Sequence, residues 1–231
     1  TSGSGEGKGV IVDRTKMIME EVRISNVAMG VEATGGILAM KGGEIGFTGD
    51  YGISLNQGRA AFLGGVTIKG NNQGQEGIKL NGGRIEMFRT NIREVQKGMS
   101  VERGGVQMLE GEIGFKGEHG ISLTKSTAAL IGVKIEGSGT GKEGVKLNGG
   151  MVEMFRTNIR EVQRGMSVEN GVVRMFGGEI GFKGDYGVYL KKGGVALNNV
   201  RIIGPSNKGM GVIMQNGVGV VMMKEVDISK V

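Results

Sequence analysis

Part of this chain is written twice. From Ile78 it reads IKLNGGRIEMFRTNIREVQKGMSVERGGVQMLEGEIGFKGEHGISL, and from Val145, 67 positions on, VKLNGGMVEMFRTNIREVQRGMSVENGVVRMFGGEIGFKGDYGVYL. A more diverged copy supplies GGEIGFTGDYGISL from Gly42, and VRIIGPSNKGMGVIM from Val200 carries the pattern onward. Self-similarity at a fixed period marks a chain built from stacked units, none of which buries its apolar face alone.

Each long repeat divides into three units of about 21 to 25 residues, whose junctions are Gly followed by an apolar-x-apolar triplet. Ile53-Ser54-Leu55, Ile78-Lys79-Leu80, Met99-Ser100-Val101 and Ile121-Ser122-Leu123 are examples. Period-two alternation turns the flanking residues inward and the middle one outward. A second strand carries one large apolar residue per unit, assigned inward: Met40, Phe62, Met87, Met108, Leu130, Met154, Met175, Leu197 and Met222. A third strand supplies pairs such as Ile45 with Phe47 and Val133 with Ile135. Three strands per turn, stacked at about 4.8 Å, predict an all-β fold: a right-handed parallel β-helix of about ten coils, roughly 45 to 50 Å long. Coils of unequal turn length favour the right hand. No segment holds the i, i+3, i+4, i+7 pattern of a helical repeat. Residues 10–231 form one domain of three long repeats, and residues 1–9 (TSGSGEGKG) read as a flexible lead-in or an expression scar.

Composition narrows the partners. The 48 Gly fit many turns, while a single Pro (Pro205) and irregular Gly spacing exclude collagen. Cysteine is absent, which fits export through an oxidising compartment. No apolar run is long enough to span a membrane as a helix. The formal net charge is +6, but no Trp, three Tyr and seven Phe leave few rings for stacking on bases, against a nucleic-acid partner.

Chemistry finds little purchase. The one His, His119, stands where the other repeats have Tyr51 and Tyr186, so a Ser–His–acid triad is not expected, nor a His-based metal cluster. The run Gly137 to Lys142 lacks phosphate-loop spacing. Glu44, Glu112 and Glu179 recur at the long period, about 14 Å apart, whereas a glycosidase needs carboxylates within about 5 to 9.5 Å. The sequence therefore predicts no enzyme and no cofactor or metal. The Met residues read as core filling. One surface feature stands out: Arg89, Arg93 and Lys97 recur as Arg156, Arg160 and Arg164, an expected outward basic stripe for a receptor or a sulfated glycan.

GGEIGFTGDYGISL, EMFRTNIREVQKGMSVE and the Met-rich coils, without Cys or Trp, resemble the passenger domains of Bartonella autotransporters, closest to the Bartonella angiogenic factor group. The likeness runs over residues 10–231. It implies a signal peptide before this segment and an outer-membrane barrel after it, the only membrane contact, with the passenger secreted or held at the bacterial surface. It further implies a virulence factor that mimics vascular endothelial growth factor, engaging its receptor 2 on host cells and promoting angiogenesis. An adhesin for matrix or glycans, or a polysaccharide lyase or hydrolase of β-helix fold, are the alternatives. The final segment, VMMKEVDISKV, lacks a polar cap, so a further coil or end-to-end association is expected there.

Overall fold

Short alternating runs, broken by residues that accept a left-handed backbone, dictate brief strands joined by tight corners. The computed structural model describes residues 7–58, 60–215 and 219–231. Among the described residues there is strand and no helix. The first coil is Lys8–Asp13, Lys16–Glu20 and Arg23–Val27. Each strand pairs in parallel with its counterpart one coil on: Met29–Thr34, Ile37–Lys41 and Glu44–Phe47. These stacks are the first, second and third faces of the rod. Further along, Glu76–Val95 and Lys134–Leu190 continue as strand around successive corners.

The stacking is legible on the first face, where Lys8, Met29, Tyr51, Glu76, Lys97, His119 and Glu143 lie above one another. Arg164, Tyr186 and Met210 complete the row, giving ten coils of a parallel β-helix. Lys8 and Gly9, assigned to the lead-in from sequence, already belong to the first strand; residues 1–6 lie outside the described residues.

One apolar core runs the length of the rod. On the second face the inward row is Met19, Met40, Leu63, Met87, Met108, Leu130, Met154, Met175, Leu197 and Met223. Two expectations are corrected here. Phe62 and Met222 point outward, 43% and 62% exposed, and their neighbours Leu63 and Met223 hold the inward register. In Ala61-Phe62-Leu63 the larger ring was assigned inward, but pairing with Met40 and Met87 fixes the opposite phase.

The Gly of each junction stands where the first face meets the third. A Cβ on Gly98 would lie 2.3 Å from the Gly120 carbonyl oxygen and 2.3 Å from Ile113 Cγ2. The missing side chain is what lets the third face close beneath the first.

Corners are built around left-handed residues, many of them not Gly: Arg89 (φ 49), Glu94 (φ 55), Arg103 (φ 50) and Lys125 (φ 50) are examples. A non-Gly residue there costs roughly 1–2 kcal/mol, offset by the greater freedom Gly would have when unfolded. Lys125 is exposed and has no side-chain partner among the described residues. Lys125→Gly is therefore expected to stabilise the rod by about 0.5–1 kcal/mol, read as a higher urea midpoint at unchanged slope.

Candidate functional site

Six basic residues were singled out by the repeat, and the fold distributes them around the rod. Arg89 sits at the corner between the second and third faces, Arg93 on the third face, and Lys97 at the start of the first. Arg156, Arg160 and Arg164 repeat this placement three coils on, about 14 Å away. They form no single stripe. Most are also compensated by carboxylates one coil away: Arg89 by Glu110 at 2.6 Å, Lys97 by Glu118 at 3.1 Å, and Arg93 by Glu112 at 3.8 Å. In the second copy Arg160 meets Glu179 at 2.8 Å, and Arg164 meets Asp185 at 2.9 Å and Glu143 at 3.6 Å. Arg156 alone of the six has no acidic partner among the described residues. Exposed pairs of this kind are each worth about 0–1 kcal/mol, but they cancel much of the field a polyanion would feel.

The first face carries a second pattern, hidden in the sequence because its members lie in different coils. Ser100 Oγ is 3.0 Å from His119 Nε2 in the next coil and stands beside the Glu76 carboxyl of the coil before, favouring its charged form. One repeat on, Ser167 donates to Glu143 at 3.0 Å and meets Tyr186 Oη at 2.7 Å. Near the start, Glu32 accepts from Tyr51 and pairs with Lys8 at 2.6 Å. The three trios brace three successive coils apiece. His119 belongs to one of them, and its positional equivalents Tyr51 and Tyr186 make the same kind of contact. Burial, then Lys97, pushes the His119 imidazole down to about 4, so it is neutral at pH 7 and stays hydrogen-bonded. Burial holds Glu76 above the usual carboxylate range; its Oε1 is enclosed without a hydrogen-bond partner. Ser100 and His119 stand within hydrogen-bond reach, but among the described residues no carboxylate is hydrogen-bonded to the imidazole as in a Ser–His–acid relay.

The second face holds what the sequence reading missed. Phe88, Leu109, Ile131, Phe155 and Phe176 occupy one outward row on five consecutive coils. Phe88 is 48% exposed, and Ile131, Phe155 and Phe176 are about 40% exposed. Phe155 and Phe176 stack with centroids 5.1 Å apart, and the Arg89 guanidinium lies 4.8 Å from the Phe88 ring centroid. The row spans about 19 Å. Shallow hollows flank it. One, about 710 Å³, is lined by Ile131, Phe155, Arg156, Phe176 and Asn199; another, about 550 Å³, by Ile18, Phe62, Phe88 and Leu109. The signal was present in the sequence: Met87-Phe88, Met108-Leu109, Leu130-Ile131, Met154-Phe155 and Met175-Phe176 each place two large apolar residues side by side. A half-buried strand puts a polar residue at the second of those positions.

No family model matches the chain, and neither a curated protein nor a solved structure matches it.

Proposed function

We propose that this chain is a binding rod that engages the extracellular part of a host cell-surface receptor, with the apolar row of the second face as its contact surface. The observation that carries this reading is the row itself: large side chains, three of them Phe, stacked outward on five coils and bordered by Arg89 and Arg156. Aromatic residues with Arg at the margin are enriched at the energetic centres of protein interfaces. Left bare, such a row is an association hazard on any sheet protein. A rod of stacked coils also holds the row rigid, so little freedom is lost on docking.

The resemblance to secreted passenger domains names the receptor to try first, vascular endothelial growth factor receptor 2, and carries with it export from the bacterial cell. An adhesive role is the second reading, favoured by a hydroxyl-lined hollow beside Lys79 on the first face. The test is binding of the purified chain to the immobilised receptor ectodomain at several salt concentrations. The expected result is saturable binding that weakens less than threefold between about 0.1 and 0.5 M salt, because the contact is mainly apolar. A steep loss with salt would return the contact to the basic residues, and no binding at micromolar concentration would overturn the receptor assignment.

A further inference from the structure

On the first face the outward row reads Lys79, Ser100, Ser122, Lys146 over four consecutive coils. Above Lys79 the short side chains leave a hollow of about 310 Å³, lined among others by Lys79, Asn81, Ser100, Glu102, Ser122 and Thr124, with Lys146 on the next coil beyond this lining. The floor is hydroxylic, and the Ser122 and Thr124 hydroxyls have no hydrogen-bond partner among the described residues. Both lysines are exposed and neither forms an ion pair among the described residues, although Lys79 stands near enough to the buried Glu76 to favour its charged form.

Apart from the buried Glu76, the acids nearby are engaged by other cations. Glu102 pairs with Arg103 at 3.2 Å, Glu118 with Lys97 at 3.1 Å, and Glu143 with Arg164 at 3.6 Å. Lys79 at one edge of the hollow and Lys146 on the coil beyond it thus carry charge that no ion pair neutralises, and Lys97 and Lys146 both help keep His119 unprotonated.

We propose that this hollow binds an anionic oligosaccharide, whose sugar hydroxyls meet Ser122, Thr124 and Asn81 and whose carboxylate or sulfate groups meet Lys79 and Lys146. The two ammonium groups stand on coils about 14 Å apart along the rod. A lone phosphate or sulfate reaches only one of them; a chain of acidic sugars laid along the axis reaches both. The hollow has no aromatic lining on which a nucleic acid base would stack. The site lies on a different face from the apolar row and does not depend on the receptor reading.

The experiment titrates the full chain by calorimetry with a heparin-derived hexasaccharide, with an uncharged maltohexaose, and with a single-stranded oligonucleotide of matched charge. The expected result is saturable binding of the sulfated sugar alone. Lys79→Glu with Lys146→Glu should weaken it at least tenfold, whereas the equally charge-reversed Lys16→Glu with Lys134→Glu should change it less than twofold. Unchanged thermal melting of both pairs shows that the fold is intact. Equal losses from both pairs would mean diffuse attraction, and binding of the oligonucleotide as tight as the sugar would mean a general polyanion surface. Either outcome, or no sugar binding, overturns the proposal.

Discussion

Gly98→Ala is expected to destabilise the rod by at least about 3 kcal/mol, while Gly64→Ala leaves it within about 0.5 kcal/mol. The two glycines share a residue type and little else. A methyl at Gly98 would meet the Gly120 carbonyl oxygen and Ile113 Cγ2, each at 2.3 Å. Both contacts are far inside van der Waals range, and one is backbone that cannot rotate away. Overpacking of a tight core costs about 1–3 kcal/mol when side chains can adjust, and more when backbone must move. The shift would also propagate, because Gly77 below and Gly120 above stand in the same column, each against the next coil's backbone. A Cβ at Gly64 would meet nothing within 4 Å. Urea unfolding followed by circular dichroism at the strand band checks both. A Gly98→Ala midpoint equal to that of Gly64→Ala would mean that the coils do not close as described.

Phe115→Ala should cost about 3–5 kcal/mol, and Phe88→Ala less than about 1 kcal/mol. Phe115 is 0% exposed, and its ring fills the corner where the third face turns back to the first. Gly141, from the wider corner of the next coil, lies so close over the ring that a Cβ there would stand 2.6 Å from Phe115 Cε2. Gly120 closes another side, with the ring's Cε1 3.1 Å from where its Cβ would be. Phe47 and Phe182 occupy the equivalent corners under Gly74 and Gly209. The wider corners every third coil therefore seat a buried ring. Because coils contact only their neighbours, the loss is felt as a weak joint in the middle of the rod, so the unfolding slope as well as the midpoint deserves measurement. A Phe115→Ala protein as stable as the Phe88→Ala protein would contradict the burial described for that corner.

Most of the fold was written in the repeat. Period-two triplets after Gly placed Val31, Ile53, Ile78 and their successors inward, and all three are fully buried. The phase of the second strand was read correctly at Met87, Met108, Met154 and Met175, where a polar residue precedes the inward one. Ala61-Phe62-Leu63 offers three apolar residues in a row, and only pairing with Met40 and Met87 decides among them. The surface was harder to read for a related reason. The duplication displays Arg89, Arg93 and Lys97 as a set, but residues four apart in a coil with three faces lie on different faces. Their carboxylate partners are 19 to 21 positions away, on the neighbouring coil. The Ser100 contacts with His119 and Glu76 were invisible to a one-dimensional reading for the same reason. The apolar row could have been found, since Phe88, Phe155 and Phe176 each violate the alternation that defines their strand.

The contact surface is tested most directly by comparing the parent chain with Phe88→Ser/Phe155→Ser for binding to the immobilised receptor ectodomain. Both rings stand outside the core, so the double variant should melt within about 2–4 °C of the parent. The expected result is saturable binding by the parent and at least a tenfold weaker complex for the double variant, as when two interface anchors are removed. A folded double variant that binds as tightly as the parent would contradict it, and the contact would then have to lie on another face of the rod.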